Sequence, residues 1–60
     1  MFQIEHRRAG SAIARQFIRA PRLADALANA RLIAASLGAD QMTVTDANGG
    51  FIGVFQAGAI

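Results

Sequence analysis

Apolar and polar residues alternate along the first eight positions of the chain. One side of this segment carries apolar residues and a histidine, and the other carries polar residues. The first set is Phe2, Ile4 and His6, and the second is Gln3, Glu5 and Arg7. A period of two is typical of a strand with one buried face. The sequence therefore predicts a first strand over residues 2–8.

A second strand is predicted over residues 12–19, after the turn residues 8–11. Its alternation leaves two orientations open. In one, Ile13 and Phe17 point towards the core together with Arg15 and Arg19. In the other, the inward residues are Ala12, Ala14 and Ile18.

Beyond Pro21 the apolar spacing changes to three and four residues, which predicts a helix over residues 21–37. Its inward face comprises Leu23, Ala26, Leu27, Ala30, Ile33, Ala34 and Leu37. Proline is well tolerated at a first helical position, and Gly38 suits the left-handed residue that ends a helix. Leu32 lies among polar residues on the opposite face, where it is either an isolated exposed leucine or a contact for a partner.

Two further strands, over residues 41–46 and 51–56, flank a turn at residues 46–49. The turn sequence Asp-Ala-Asn-Gly fits a three-residue hairpin loop with a left-handed glycine. This loop would pair Val44 with Ile52 and Met42 with Val54, two matched aliphatic pairs under the helix. A tighter two-residue turn would instead oppose Met42 to Phe55. The matched pairs favour the longer loop, with residues 57–60 as a frayed tail.

The order of elements predicts a single α+β domain of ββαββ type. One helix would pack on one face of a four-stranded, mostly antiparallel sheet. The other face would then be either polar or occupied by a partner. The side chains expected on that face are Phe17, Thr43, Thr45, Phe51 and Phe55.

The short length of the chain suggests that the domain is stabilised by association with a partner. With 53% hydrophobic and 17% charged residues it is not a disordered chain, and it contains no cysteine. A domain of 60 residues buries only about 60% of its unfolded surface, and disulfides or metals often compensate. Neither is expected here, so we predict a homodimer whose interface contains Phe17, Phe51, Phe55, Thr43 and Thr45.

Arginines are concentrated near the start of the chain. Five of the six lie within the first 22 residues, although the net charge is only +2. Together with the exposed phenylalanines, four of them could bind single-stranded nucleic acid, with rings stacking on bases and guanidinium groups on phosphates. These are Arg7, Arg8, Arg15 and Arg19. The competing interpretation is that alanine and arginine simply reflect a GC-rich genome.

No catalytic or ligand-binding motif is apparent. The single histidine, His6, is expected to be a partly buried structural residue, and the four acids are scattered over different elements. Three glycines at positions 49, 50 and 53 belong to the last hairpin, where no helix N-terminus would hold a phosphate. We therefore predict a non-enzyme with no cofactor and no metal. Lacking a signal-peptide pattern or a membrane-length apolar run, it is expected to be soluble and cytoplasmic.

Short motifs in the helix and after it resemble a known group of proteins. The residues are Asp25-Ala26, Ala30-Arg31, Ile33-Ala34 and Gly38-Ala39-Asp40. Their spacing is similar to that of small uncharacterised bacterial ββαββ proteins, the YegP-like and related domain-of-unknown-function families. The likeness covers about half the chain, but this chain lacks their first-strand tryptophan and has a longer final hairpin turn. It implies the same fold and no activity.

Overall fold

A computed structural model describes residues 1–57 and shows the ββαββ order that the sequence predicts. Its elements are β1 (Phe2–Arg8), β2 (Ser11–Ile18), α1 (Leu23–Leu37), β3 (Gln41–Asp46) and β4 (Phe51–Gln56). All three strand pairs are antiparallel, in the order β2-β1-β3-β4. The α+β prediction is confirmed. Only the bounds of β2 and of the start of the helix differ, by one and two residues.

The two faces of the sheet differ in burial, because successive residues of a strand point to opposite sides. We call the side under the helix the helix face; its central side chains are fully buried and comprise Ile4, His6, Met42 and Val44. We call the other side the open face. Small side chains line the middle of the buried stripe of α1, where Ala26, Ala30 and Ala34 are inaccessible to solvent. The helix backbone lies closest to β1 and β2.

The C-terminal end of α1 follows from the local sequence, whereas the helix begins two residues after Pro21 rather than at it. Arg22 precedes the helix without a side-chain cap, and Gly38 ends it with a φ of 73°. The following N–H group, of Ala39, donates to the carbonyl oxygen of Ala34 at 3.0 Å. This left-handed termination is the one that glycine permits at little cost. Ile33, in contrast, lies at the margin of the buried stripe and is 42% exposed, so its predicted inward position is wrong.

Strand β2 adopts the second of the two predicted orientations in part. Its residues opposite β1 helix-face positions are Ala14, Gln16 and Ile18, which pair with His6, Ile4 and Phe2. The first alternative, with Ile13 and Phe17 inward, is therefore wrong. An irregularity between His6 and Arg7 then shifts the register, so that Ala12 pairs with Arg7 and is exposed. The predicted inward position of Ala12 is wrong for that reason.

The turn between β3 and β4 has the predicted geometry. The N–H of Gly49 donates to the carbonyl oxygen of Asp46 at 3.1 Å, and Gly49 has a φ of 83°. The N–H of Asp46 donates to the carbonyl oxygen of Gly50 at 2.9 Å. Asp46 also accepts from the N–H groups of Asn48 and Gly50 through Oδ1, at 2.9 and 2.7 Å. The carboxylate thereby holds the loop in its three-residue form.

The pairing beyond that turn differs from the prediction. Thr45 pairs with Phe51, and a bulge at Ile52 then brings Val44 opposite Gly53 and Met42 opposite Phe55. The predicted partners of Val44 and Met42 are therefore wrong. Because the bulge adds one residue to β4, Phe55 moves to the helix face, where it and Ile52 pack against the core.

Gly53 gives the physical reason for this register. A Cβ atom built on Gly53 would lie 3.3–3.4 Å from ring carbons of Phe55, so that ring passes close over the glycine backbone. Glycine inside a strand often marks such a bulge or close approach. At the end of the sheet, Ala57 is buried and its N–H donates to Asp40 O at 3.0 Å. It is thus not frayed, and the rest of the predicted tail lies outside the described residues.

Candidate interaction face

The strand registers arrange the open face in three rows that cross the sheet from β2 to β4. We define the aromatic row as Phe17, Gln3, Thr45 and Phe51. The charged row is Arg15, Glu5, Thr43 and Val54. The third row is Ala12, Arg7, Gln41 and Gln56. Residues directly opposite in antiparallel strands share a face, so each row is a line of neighbouring side chains.

Large apolar side chains stand at both edges of this face. Phe17 on β2 is 64% exposed, Phe51 on β4 is 68% exposed, and Val54 beside it is 52% exposed. Both phenylalanines belong to the aromatic row, with Gln3 and Thr45 between them. The face therefore offers two separate aromatic contacts at opposite edges, joined by a polar centre.

The centre of the face carries one carboxylate between two guanidinium groups. Glu5 Oε1 accepts from Arg7 Nη1 at 2.6 Å, and Glu5 Oε2 lies 3.6 Å from Arg15 Nη2. Arg7 also donates through Nη2 to the carbonyl oxygen of Gly10 at 2.6 Å. Ion pairs that remain partly open to solvent, like these, add little stability. Their effect is to fix the direction of Arg7 and to offset part of the positive charge of the face.

The structure brings together four of the five residues predicted for the interface. Phe17, Thr43, Thr45 and Phe51 lie on the open face, at the register positions given above. Phe55 does not, because the bulge at Ile52 turns it to the helix face, and its predicted position is wrong. Gln56 lies opposite Gln41, where the predicted register placed Phe55, and Val54 lies opposite Thr43. The mid-strand Gly53 is the sequence signal that could have indicated the bulge.

The four arginines proposed as nucleic-acid contacts do not form one patch. Arg7 and Arg15 lie on the open face beside Glu5. Arg8 is exposed at the turn end of the β1–β2 hairpin, where it pairs with Ser11. Arg19 is exposed just beyond Ile18, at the other end of that hairpin. Arg8 and Arg19 thus lie at opposite ends of the hairpin, and Arg15 lies between them.

His6 is more deeply placed than the sequence predicts. It is fully buried on the helix face rather than partly buried, and its Nε2 atom lies 2.9 Å from Gln16 Oε1. Because an amide oxygen can only accept, Nε2 carries the proton of this bond. Nδ1 is buried and has no hydrogen-bond partner within residues 1–57. The partner Gln16 was missed because the orientation of β2 was left open.

Catalytic or metal-binding geometry is not evident in the part of the chain that the structure describes. Across residues 1–57 there is no cavity of ligand size and no group of three potential metal-ligating side chains among His, Cys, Asp and Glu. No helix in this range is long and apolar enough to cross a membrane. Leu32 is 73% exposed on α1, on the far side of the molecule from the open face. The open face is therefore the best candidate for a functional surface.

Comparisons with known proteins do not assign this chain to a family. No family model, no characterised protein and no solved structure matches it. The resemblance to YegP-like proteins is left untested by this result and stays a prediction.

Proposed function

We propose that the protein is a small, non-enzymatic cytoplasmic interaction module that forms a homodimer through the open face. The observation that carries this proposal is the exposure of Phe17 and Phe51 on a sheet face that the helix does not cover. Val54 adds exposed apolar surface beside Phe51, and exposed apolar patches often mark association sites. Aromatic residues are also enriched in protein interfaces relative to the rest of the protein surface.

The size of the face fits a weak but specific dimer. Strands of six to eight residues extend about 20–27 Å, and four strands side by side span about 19 Å. The projected area is therefore roughly 450 Å² per copy, or roughly 900 Å² for two. Side chains project from the sheet, so the area buried between two copies exceeds this projected area. It approaches the lower limit of specific interfaces, about 1,000 Å². We expect association that depends visibly on protein concentration.

Nucleic-acid binding has less support as an alternative function. Glu5 engages both Arg7 and Arg15, so the cations nearest to the exposed rings are partly neutralised. Single-strand binders instead combine a continuous positive groove with their stacking platforms. Fluorescence anisotropy of a labelled single-stranded oligonucleotide at about 50 mM salt tests this alternative. Binding that weakens steeply as salt rises would favour it over the dimer.

Sedimentation equilibrium tests the dimer directly. We expect a mass approaching twice the 6.3 kDa of the chain as concentration rises from micromolar to near-millimolar. Phe51→Glu should weaken association at least tenfold, because it places a carboxylate in an apolar contact. The matched control is Leu32→Glu, which changes an equally exposed apolar side chain on α1 and should leave the dimer intact.

Two results would contradict the proposal. One is a parent protein that sediments as a monomer over the whole concentration range. The other is a dimer that Leu32→Glu disrupts and Phe51→Glu does not, which would place the contact on the helix. Circular dichroism of each variant establishes that it remains folded, as expected for substitutions at exposed positions.

A further inference from the structure

We infer that the two copies stack their open faces about a two-fold axis parallel to the strands, so that Phe17 of each copy packs on the partner's Phe51. This inference rests on the proposed homodimer and specifies its geometry. It starts from one observation: the two phenylalanines occupy the same row, on the two opposite edge strands of the sheet.

The axis direction follows from that placement. A two-fold axis parallel to the strands, lying between the sheets and midway between β1 and β3, sets β2 of one copy over β4 of the other. The aromatic row then lies over itself in reversed order. Each Phe17 meets the partner's Phe51, and each Gln3 meets the partner's Thr45. Packed sheets lie about 10 Å apart, a gap that two inclined phenyl rings can bridge with centroids about 4.5–7 Å apart.

The charges on the face are compatible with the same axis. Arg15 lies over the partner's Val54, Glu5 over the partner's Thr43, and Arg7 over the partner's Gln41. No like charges are opposed, and in the charged row each long side chain meets a shorter one. Such an arrangement avoids the several kcal/mol by which juxtaposed like charges disfavour an interface.

An axis in the same plane but perpendicular to the strands is disfavoured by the same criteria. Passing through the middle of the face, it would set β2 over β2 and reverse the order of the rows. Arg15 would then face the partner's Arg15, and Glu5 the partner's Glu5. Phe17 would meet the partner's Ala12 and lose its aromatic contact. The parallel axis is therefore the arrangement that satisfies both the rings and the charges.

Two copies could also pair their β4 edges into one continuous sheet. The experiment must distinguish this arrangement from stacking of the open faces. The β4 sequence contains no charged residue, and such edges can add a further strand. The bulge at Ile52, however, interrupts regular pairing along this strand, and bulges protect edges from such association. Edge pairing would also leave Phe17 outside the contact.

Mutual rescue between two variants tests the stacked arrangement. Phe17→Glu and Phe51→Arg should each raise the dimer Kd at least tenfold when studied alone. Mixed at equal concentration, they should form a heterodimer with a Kd at least fivefold below that of either variant alone. In that heterodimer the carboxylate introduced at position 17 faces the guanidinium introduced at position 51, and the other edge keeps its native phenylalanine pair.

The outcomes separate this inference from the proposed function. If the parent protein is monomeric, the homodimer itself is refuted. If the parent dimerises and both variants weaken it without rescue on mixing, the parallel axis is refuted and the homodimer stands. If Phe17→Glu alone leaves the dimer intact, the contact excludes Phe17, as edge pairing of β4 would.

Cross-linking provides a second measurement that does not depend on charge. The chain has no cysteine, so Phe17→Cys and ¹⁵N-labelled Phe51→Cys each introduce a unique thiol. With a short bis-maleimide, mass spectrometry of the mixture should show the mixed 17–51 product in excess. Across the stacked sheets the two positions 17 are about 17 Å apart, because three strand spacings and one sheet spacing separate them. Predominant 17–17 product would overturn the inference.

Discussion

His6 is the only buried polar residue among residues 1–57, and only one of its two ring nitrogens forms a hydrogen bond, to the half-buried Gln16. Gln16 Oε1 accepts from His6 Nε2, while Nδ1 stays buried without a partner. A buried acceptor that forms no hydrogen bond costs about 1–3 kcal/mol. The histidine therefore carries a penalty that an apolar side chain of similar size would not.

This asymmetry predicts unequal effects of removing the two partners. His6→Leu should change the free energy of unfolding by less than about 1 kcal/mol, or increase it, because the unpartnered nitrogen disappears with the bond. Gln16→Leu should destabilise by about 1–3 kcal/mol, since both ring nitrogens then lack partners. Because the chain has no tryptophan or tyrosine, urea unfolding is followed by circular dichroism at one fixed protein concentration.

The control for this pair is Asn29→Leu, which exchanges an exposed amide on α1 for the same side chain. It should alter stability by less than about 0.5 kcal/mol. Equal losses for His6→Leu and Gln16→Leu would show that the bond itself, rather than the unpartnered nitrogen, decides the stability of this part of the core.

At the scale of elements, the β1–β2 hairpin contains a strained residue. Its two central turn residues, Ala9 and Gly10, both have positive φ, at 52° and 83°. This is the signature of a type I′ turn, which matches the twist of the strands and favours Asn-Gly. Gly10 fits the requirement, but an alanine in the left-handed region is disfavoured by about 1–2 kcal/mol.

Ala9→Asn should therefore stabilise the protein by about 1 kcal/mol, because asparagine tolerates the left-handed conformation better than alanine does. The backbone N–H of Ala9, which donates to Asp40 Oδ2 at 3.1 Å, remains available in the variant. Ala47→Asn is the matched control, since Ala47 is an exposed turn residue without positive φ. If both substitutions raise the urea midpoint equally, relief of backbone strain is not the cause.

The elements that sequence predicts well are those with one clearly apolar side. β1 alternates Ile4 and His6 with charged or amide residues. α1 places Leu23, Leu27 and three buried alanines on one face, so the inward side of each element is clear. Gly38 and Gly49 add fixed end points, and both have the left-handed conformation expected of them.

The register of β4 could not be predicted in this way. Residues 51–55 are all apolar or glycine, so either alternation buries hydrophobic side chains, and the turn fixes only the first pairs. The bulge at Ile52 is decided by the fit of the Phe55 ring over Gly53, a tertiary contact that periodicity does not contain. The predicted face was consequently right at Phe17 and Phe51 and wrong at Phe55.

At the scale of the whole molecule, the core is small because one helix covers only one face of the sheet. One helix of 15 residues lies closest to β1 and β2, and the reverse of the sheet has no covering layer within the described residues. A domain of this size buries a limited share of its surface. A second copy would supply both the missing layer and additional buried apolar area.

Thermal unfolding should therefore depend on protein concentration. For a folded dimer in equilibrium with unfolded chains, each tenfold rise in concentration adds about 1.4 kcal/mol per dimer, or about 0.7 kcal/mol per chain. In a domain of about 60 residues this corresponds to a Tm increase of roughly 3–6 °C for each tenfold step. Phe17→Glu should lower the Tm at high concentration and flatten this dependence, whereas Leu32→Glu should preserve it. The Tm of the unsubstituted protein could instead stay constant from micromolar to near-millimolar concentration. The helix and sheet of one chain would then be stable by themselves, and association would contribute nothing to the stability of the fold.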